Sequence, residues 1–389
     1  MSAASSDRAL IGFLLAASLA STIGGLPFNA MPVMLGSIAD SFALPPQAVG
    51  LMGSICFAGY LVGTLAAPLW IDRANWRLLT VVSAAATAAS FAASAQVERV
   101  DALYVVWALV GFFASTMTSL GMRILSDLPN KVRAFGVRQG IELSVTAAVL
   151  FALPPLVIAT WKYPGAAWTL AGVVAALGVS ALWVPQRSPA AAPVGGAAVR
   201  HAIPPLAWVA MAVFFAFLTG NIALWVFLER IGAALKVTPA QMGIVFAVLK
   251  LLGGAAAFFV AAVAGRGGAR LPFWVVLAGV GVGIMLLGGG GSFVPFALGA
   301  WLWEFAFTCG CVLQAAAIAR ADAGGRAVML VPAVFALASM AGPAIGGQLA
   351  ASGGFGPTLL LALAAAAVPA LAYGVRSPRG LAPVPLRVA

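Results

Sequence analysis

Five ionisable side chains of this chain fall inside long apolar runs, where a charge is costly unless it is paired or reaches water: Arg123, Arg138, Glu142, Lys250 and Glu304. Lys250 lies in the run 240–264 and Glu304 in the run 294–318, each about ten residues from the same end, and at roughly 1.5 Å per residue they reach a similar depth. An ammonium there suits an anionic solute as counter-ion. A carboxyl group there suits proton exchange or charge balance. Residues three, four and seven positions from Lys250 include Gly243, Ala247, Gly253, Gly254 and Ala257. That face is bare, with room for water, a solute or a neighbouring helix. Trp301, Phe307, Thr308 and Cys311 surround Glu304. A permanent salt bridge that only fixes helix packing would use the same two charges, and the sequence leaves both readings open.

Arg138, Gln139, Glu142 and Thr146 share one helical face, as do Ser115, Thr116, Ser119 and Arg123. Both stripes are expected in the cytoplasmic half, where Glu142 would neutralise Arg138 or Arg123 as part of an intracellular gate or a structural ion pair. Glu304, Glu142, Arg138 and Arg123 are therefore the candidates for proton coupling or gating. Gly24-Gly25-Leu26-Pro27-Phe28-Asn29 is followed by Pro32, and Gly220-Asn221 stands near the matching place of a later run. Proline removes a backbone donor, which membranes tolerate beside protein or water. Asn29 and Asn221 are read either as cavity-lining groups, with Lys250, Glu304 and Trp301, or as marks of helix breaks that permit rocking.

Other chemistry finds little support. The sole His201 lies between runs, and Cys56, Cys309 and Cys311 lie inside them as small core residues. There is no metal-ligand spacing, nucleophile–base set or phosphate-binding glycine loop, so no enzyme, metal or cofactor is expected. Gly288 to Gly291 reads as a turn.

The elements that must hold these residues are membrane helices. Of the 389 residues 63% are hydrophobic and 8% charged, against roughly 25% charged in a soluble domain. Lipid must solvate the outside, and the 44 glycines suit close helix packing within it. The net charge of +11 comes as single residues with no basic tract, which argues against nucleic acid. Apolar runs long enough to cross a bilayer fall at 9–39, 48–71, 78–96, 102–125, 134–158, 166–184, 205–229, 240–264, 271–290, 294–318, 328–351 and 357–374. The first is expected to be a span and not a cleaved leader, because so many follow. Residues 185–204, rich in Pro, Ala and Gly, read as a linker between six-helix bundles at 1–184 and 205–389.

With the N-terminus inside, fourteen of the 21 Lys and Arg fall in cytoplasmic segments. Only Arg99, Lys162, Arg230 and Lys236 fall on the other side. Both termini are therefore expected in the cytoplasm. An ungapped shift of 193 residues relates the halves: Pro46 and Gly50 fall on Pro239 and Gly243, Arg73 and Arg77 on Arg266 and Arg270, Arg133 on Arg326, and Pro164 on Pro357. Six helices repeated in one orientation is the plan of a secondary transporter.

The loop after the second run reads Pro68-Leu69-Trp70-Ile71-Asp72-Arg73-Ala74-Asn75-Trp76-Arg77. It resembles the G-x-x-x-D-R-x-G-R-R loop of the major facilitator superfamily at Asp72, Arg73 and Arg77, and departs from it at Pro68, Asn75 and Trp76. Gly50, Gly59 and Gly63 are similar to that family's second helix. The repeat copy, Gly265 to Arg270, keeps two basic residues without the acid. The resemblance implies an all-α membrane fold of twelve helices, alternating access, and a latch formed by Asp72, Arg73 and Arg77. Gly342-Pro343-Ala344-Ile345-Gly346-Gly347 is similar to the glycine-rich stretch of the family's drug exporters, but stands in the eleventh run where theirs is in the fifth. The expectation is a monomeric secondary transporter of the cytoplasmic membrane, moving a small organic solute, foremost an anion, with protons. Efflux of hydrophobic or amphiphilic compounds is the alternative.

Overall fold

A computed structural model describes residues 3–71, 73–126, 128, 131–187, 202–263, 270–289, 291–322 and 326–375. The long helices are α1 (Ala3–Phe42), α2 (Pro46–Trp70), α3 (Trp76–Ser94), α4 (Val100–Ser126), α5 (Lys131–Ala152), α6 (Ala159–Gly178), α7 (Pro205–Ala234), α8 (Pro239–Val263), α9 (Leu271–Gly288), α10 (Phe293–Ala321), α11 (Val331–Gly353) and α12 (Gly356–Gly374). One helical turn, Arg326–Met329, precedes α11.

Eleven helical stretches among the described residues are long and apolar enough to cross a membrane. One of them, Arg133–Trp183, has 51 residues, roughly 75 Å of helix against a hydrocarbon core of about 30 Å. It makes two crossings. The chain turns at Lys162, whose φ of 50° and ψ of −149° break the helix, and Pro164 sits in the first turn after the break, where a missing N–H costs little. Pro154 and Pro155 are absorbed by a π-helical segment, Leu153–Ile158, between α5 and α6. The loop expected at 159–165 thus shrinks to a turn at Lys162.

The 193-residue repeat recurs in the elements. The bounds of α8 are those of α2 moved by 193, and Val100 and Phe293, which begin α4 and α10, differ by the same shift. Ala43 (φ 51°) and Lys236 (φ 60°), also 193 apart, each take a left-handed backbone where α1 and α7 end. Neither α1 nor α7 is broken. Pro27 and Pro32 lie inside a continuous helix, so the breaks expected near Asn29 and Asn221 do not form.

By contacts the chain divides into two compact units, Met1–Ala43 with Ile55–Ala198, and Leu44–Ser54 with Val199–Ala389. The expected linker lies outside the described residues from 188 to 201. In the first unit Ala16, Ala17, Trp76, Leu120, Ile124 and Val184 form an apolar cluster. In the second, Val213, Phe273, Ala317, Ala370 and Tyr373 do so. There the first turns of α2 pack on α11, with Gly50 against Gly347 and Pro343, a closeness that any side chain at Gly50 would prevent.

Candidate functional site

The N-terminus of α8 is fixed by a capping box. The Gln241 side chain accepts from the Thr238 N–H at 2.9 Å, and the Thr238 hydroxyl accepts from the Gln241 N–H at 3.3 Å. Lys250 lies eleven residues beyond Pro239, and Glu304 eleven beyond Phe293, so α8 and α10 carry them in matching register. Both are buried, at 4% and 7% exposure. The Glu304 carboxylate rests on Gly253, one turn from Lys250, where a Cβ would stand 2.8 Å from its Oε1. The bare face of α8 is thus occupied by the acid of α10. The Trp301 indole N–H adds a tie to the Val245 carbonyl, 3.0 Å away.

The third wall is α7. The Lys250 Nζ stands 3.9 Å from the centre of the Trp225 ring, within cation–π range. Asn221, one turn earlier on the same face, is fully buried. It accepts from the Trp303 indole N–H at 2.9 Å and donates to the Phe217 carbonyl at 2.9 Å. Its amide braces α7 on α10. Trp303 stacks on Phe307, and Phe307 on Phe217, with ring centres 5.6 Å apart in both pairs.

The first unit holds a second polar cluster. Arg138 pairs with Glu142 at 2.6 Å and donates from Nε to Ser21 of α1 at 2.6 Å. Asn29 donates to Glu142 at 3.3 Å and to the Gly25 carbonyl at 3.0 Å. Gly25 faces the Glu142 carboxylate so closely that a side chain there would overlap it. Glu142 is buried and Arg138 partly so, and the pair is tied at both ends to α1. Arg123 goes elsewhere, with its guanidinium 5.6 Å from the centre of the Trp76 ring. Trp76 donates to the Ile71 carbonyl at 2.7 Å, and Arg77 to the Val184 carbonyl at 3.1 Å. Arg73 is exposed. Asp72 lies outside the described residues, as does Arg266.

Sequence reasoning missed Trp225, Trp303, Ser21 and Asp322. Asp322 is buried and accepts from the Ala327 N–H at 2.8 Å, capping the turn before α11. The sequence signal for Trp225 was its place four residues after Asn221, on one helical face.

Residues 12–322 match the sequence model of the Major Facilitator Superfamily. No curated protein sequence matches the chain. Solved structures of similar fold include a bacterial homologue of the human lysosomal transporter Spinster, at 14% identity and TM-score 0.73 over 99% of this chain and 100% of that one. A D-xylose–proton symporter matches at 12% identity and TM-score 0.72, over 93% and 96%. The human organic anion transporter MFSD10 (TETRAN) matches at 18% identity and TM-score 0.63, over 94% and 98%. With the family matched over most of its length and the fold shared with these transporters, this multi-pass membrane protein belongs to the Major Facilitator Superfamily as a transporter.

Proposed function

We propose that this transporter moves a small organic anion across the cytoplasmic membrane and couples that movement to protons. Lys250 is the counter-ion for the solute's carboxylate, and Glu304 is its proton-exchanging partner. The supporting observation is that both charges are buried at matching register on α8 and α10, with the Glu304 carboxylate resting on Gly253, one turn from Lys250. At rest one positive and one negative charge compensate. A solute carboxylate on Lys250 adds a second anion to a low-dielectric place that holds one cation, and Glu304 stays there most cheaply by taking a proton. Charge balance then favours one proton bound with each monocarboxylate. The neighbouring structures named as a proton symporter and an organic anion transporter have the same fold and are compatible with this reading.

The Arg138–Glu142 pair, held to α1 by Ser21 and Asn29, is assigned to gating, and Asp72, Arg73 and Arg77 to a latch on the strength of the loop they resemble. A thermal-shift screen of the purified protein against carboxylates, sugars, nucleosides and lipophilic cations tests the function, because a ligand that binds the folded state raises its stability. Stabilisation by carboxylates is expected. Stabilisation by lipophilic cations alone would replace the reading with efflux.

A further inference from the structure

A buried ammonium that serves a transient anion faces a difficulty. A permanent carboxylate close by keeps it charged, yet competes with the solute for it. A neutral partner that favours the cation without neutralising it resolves the conflict, and an aromatic face is such a partner, since its quadrupole attracts a cation while the ring carries no net charge.

The Trp225 indole meets that description. Its ring centre lies 3.9 Å from the Lys250 Nζ, closer than the usual limit of about 6 Å for such contacts. Trp225 is 2% exposed, so the contact is shielded from water, which strengthens it. The ring is also fixed in place. Phe246 packs edge-on against it, with centres 5.6 Å apart and planes at 89°. Phe246 stands four residues before Lys250 on α8, so one face of α8 grips the indole at two points a turn apart. On α7, Asn221 stands four residues before Trp225 and holds Trp303, the residue that precedes Glu304 on α10. One face of α7 thereby sets the positions of both charge-bearing helices.

From this arrangement, and resting on the anion reading above, we propose that Trp225 is the positioning residue that holds the Lys250 ammonium in place for the solute's carboxylate while Glu304 changes its charge. Trp225 sets affinity for the anion. It does not contact the transported proton.

The test uses the purified full-length protein with acetate, lactate, benzoate and succinate as probes, titrated calorimetrically and followed as uptake into proteoliposomes. Lys250→Met reports on the anion reading, and Trp225→Phe, Trp225→Tyr and Trp225→Leu on this inference. For the probe that binds the parent protein best, Trp225→Leu is expected to weaken binding about 2- to 30-fold, the range that such contacts span. Phe and Tyr should recover part of the loss. Half-saturation should rise while the turnover rate at saturating probe and the number of binding sites per protein stay within twofold of the parent. A role confined to packing would instead lower the number of competent sites and leave the affinity of the rest unchanged. That pattern would overturn the inference, as would parent-like affinity in all three Trp225 variants with Lys250→Met inactive. If Trp225→Leu fails to fold, Trp225→Phe and Trp225→Tyr decide, because they keep a ring of lower cation affinity. Binding that survives in Lys250→Met, or no binding of any probe by the parent, would remove the anion reading itself.

Discussion

On the pairing proposed above, replacing Lys250 by alanine removes the charge that compensates Glu304, a carboxylate buried on the bare surface of Gly253. Breaking a buried pair from one side in this way costs about 3–5 kcal/mol. Replacing Glu304 is expected to cost less, because the ammonium that remains keeps the Trp225 face, worth about 0.5–2 kcal/mol. The two single variants should therefore be unequal, with Lys250→Ala the worse by roughly that amount. The double variant Lys250→Ala/Glu304→Ala leaves no unpaired charge and should regain much of the loss, a coupling of about 1–3 kcal/mol. The assay is thermal unfolding of four purified proteins in one detergent at one pH. At a few degrees per kcal/mol, Lys250→Ala should melt roughly 5–10 °C below the parent. Additive losses, with no recovery in the double variant, would refute the pairing. Equal losses in the two single variants would refute the part given to Trp225.

Three further outcomes follow from other contacts. Asn221→Leu strips the fully buried Trp303 indole N–H of its acceptor and is expected to cost about 1–3 kcal/mol in thermal unfolding, whereas a residue lining open space would be silent. Gly25→Ala places a Cβ 2.8 Å from the Glu142 Cδ while Arg138 and Asn29 hold that carboxylate, so it should destabilise by about 1–3 kcal/mol and slow uptake measured in proteoliposomes. Single cysteines labelled from outside intact cells by a membrane-impermeant reagent should react at position 236 and stay unmodified at 133. The reverse pattern would invert the orientation.

The matching register of the two charges was legible because register along a helix is a property of sequence. Lys250 and Glu304 stand equally far into their runs, and the helices begin where those runs begin. The Arg138–Glu142 pair was legible for a similar reason, since four residues is one helical turn. Asn29 joining that pair was not, because 113 residues separate it from Glu142 and only tertiary packing brings α1 beside α5. Trp225 escaped on the same ground. Nothing in spacing says which helix stands over the free face of α8. The glycines near Lys250 suggested open room, and the structure fills that room at Gly253 with the Glu304 carboxylate. Prolines in α1 suggested a break, yet a long helix packed through Gly24 and Gly25 against α4 and α5 tolerates both. The turn between the fifth and sixth crossings was legible as the gap at 159–165, but its brevity was not, since the positive φ that makes it falls on Lys162, a residue type that does not mark such a turn.

Uptake of a labelled carboxylate into proteoliposomes, with the membrane potential clamped at zero and a pH gradient imposed, tests the central claim most directly. The parent protein is expected to accumulate the probe against its own gradient in response to the pH difference. Glu304→Gln should still exchange the probe downhill but no longer respond to pH, and Lys250→Met should do neither. Accumulation by Glu304→Gln equal to that of the parent, or a parent protein indifferent to the pH gradient, would contradict the account.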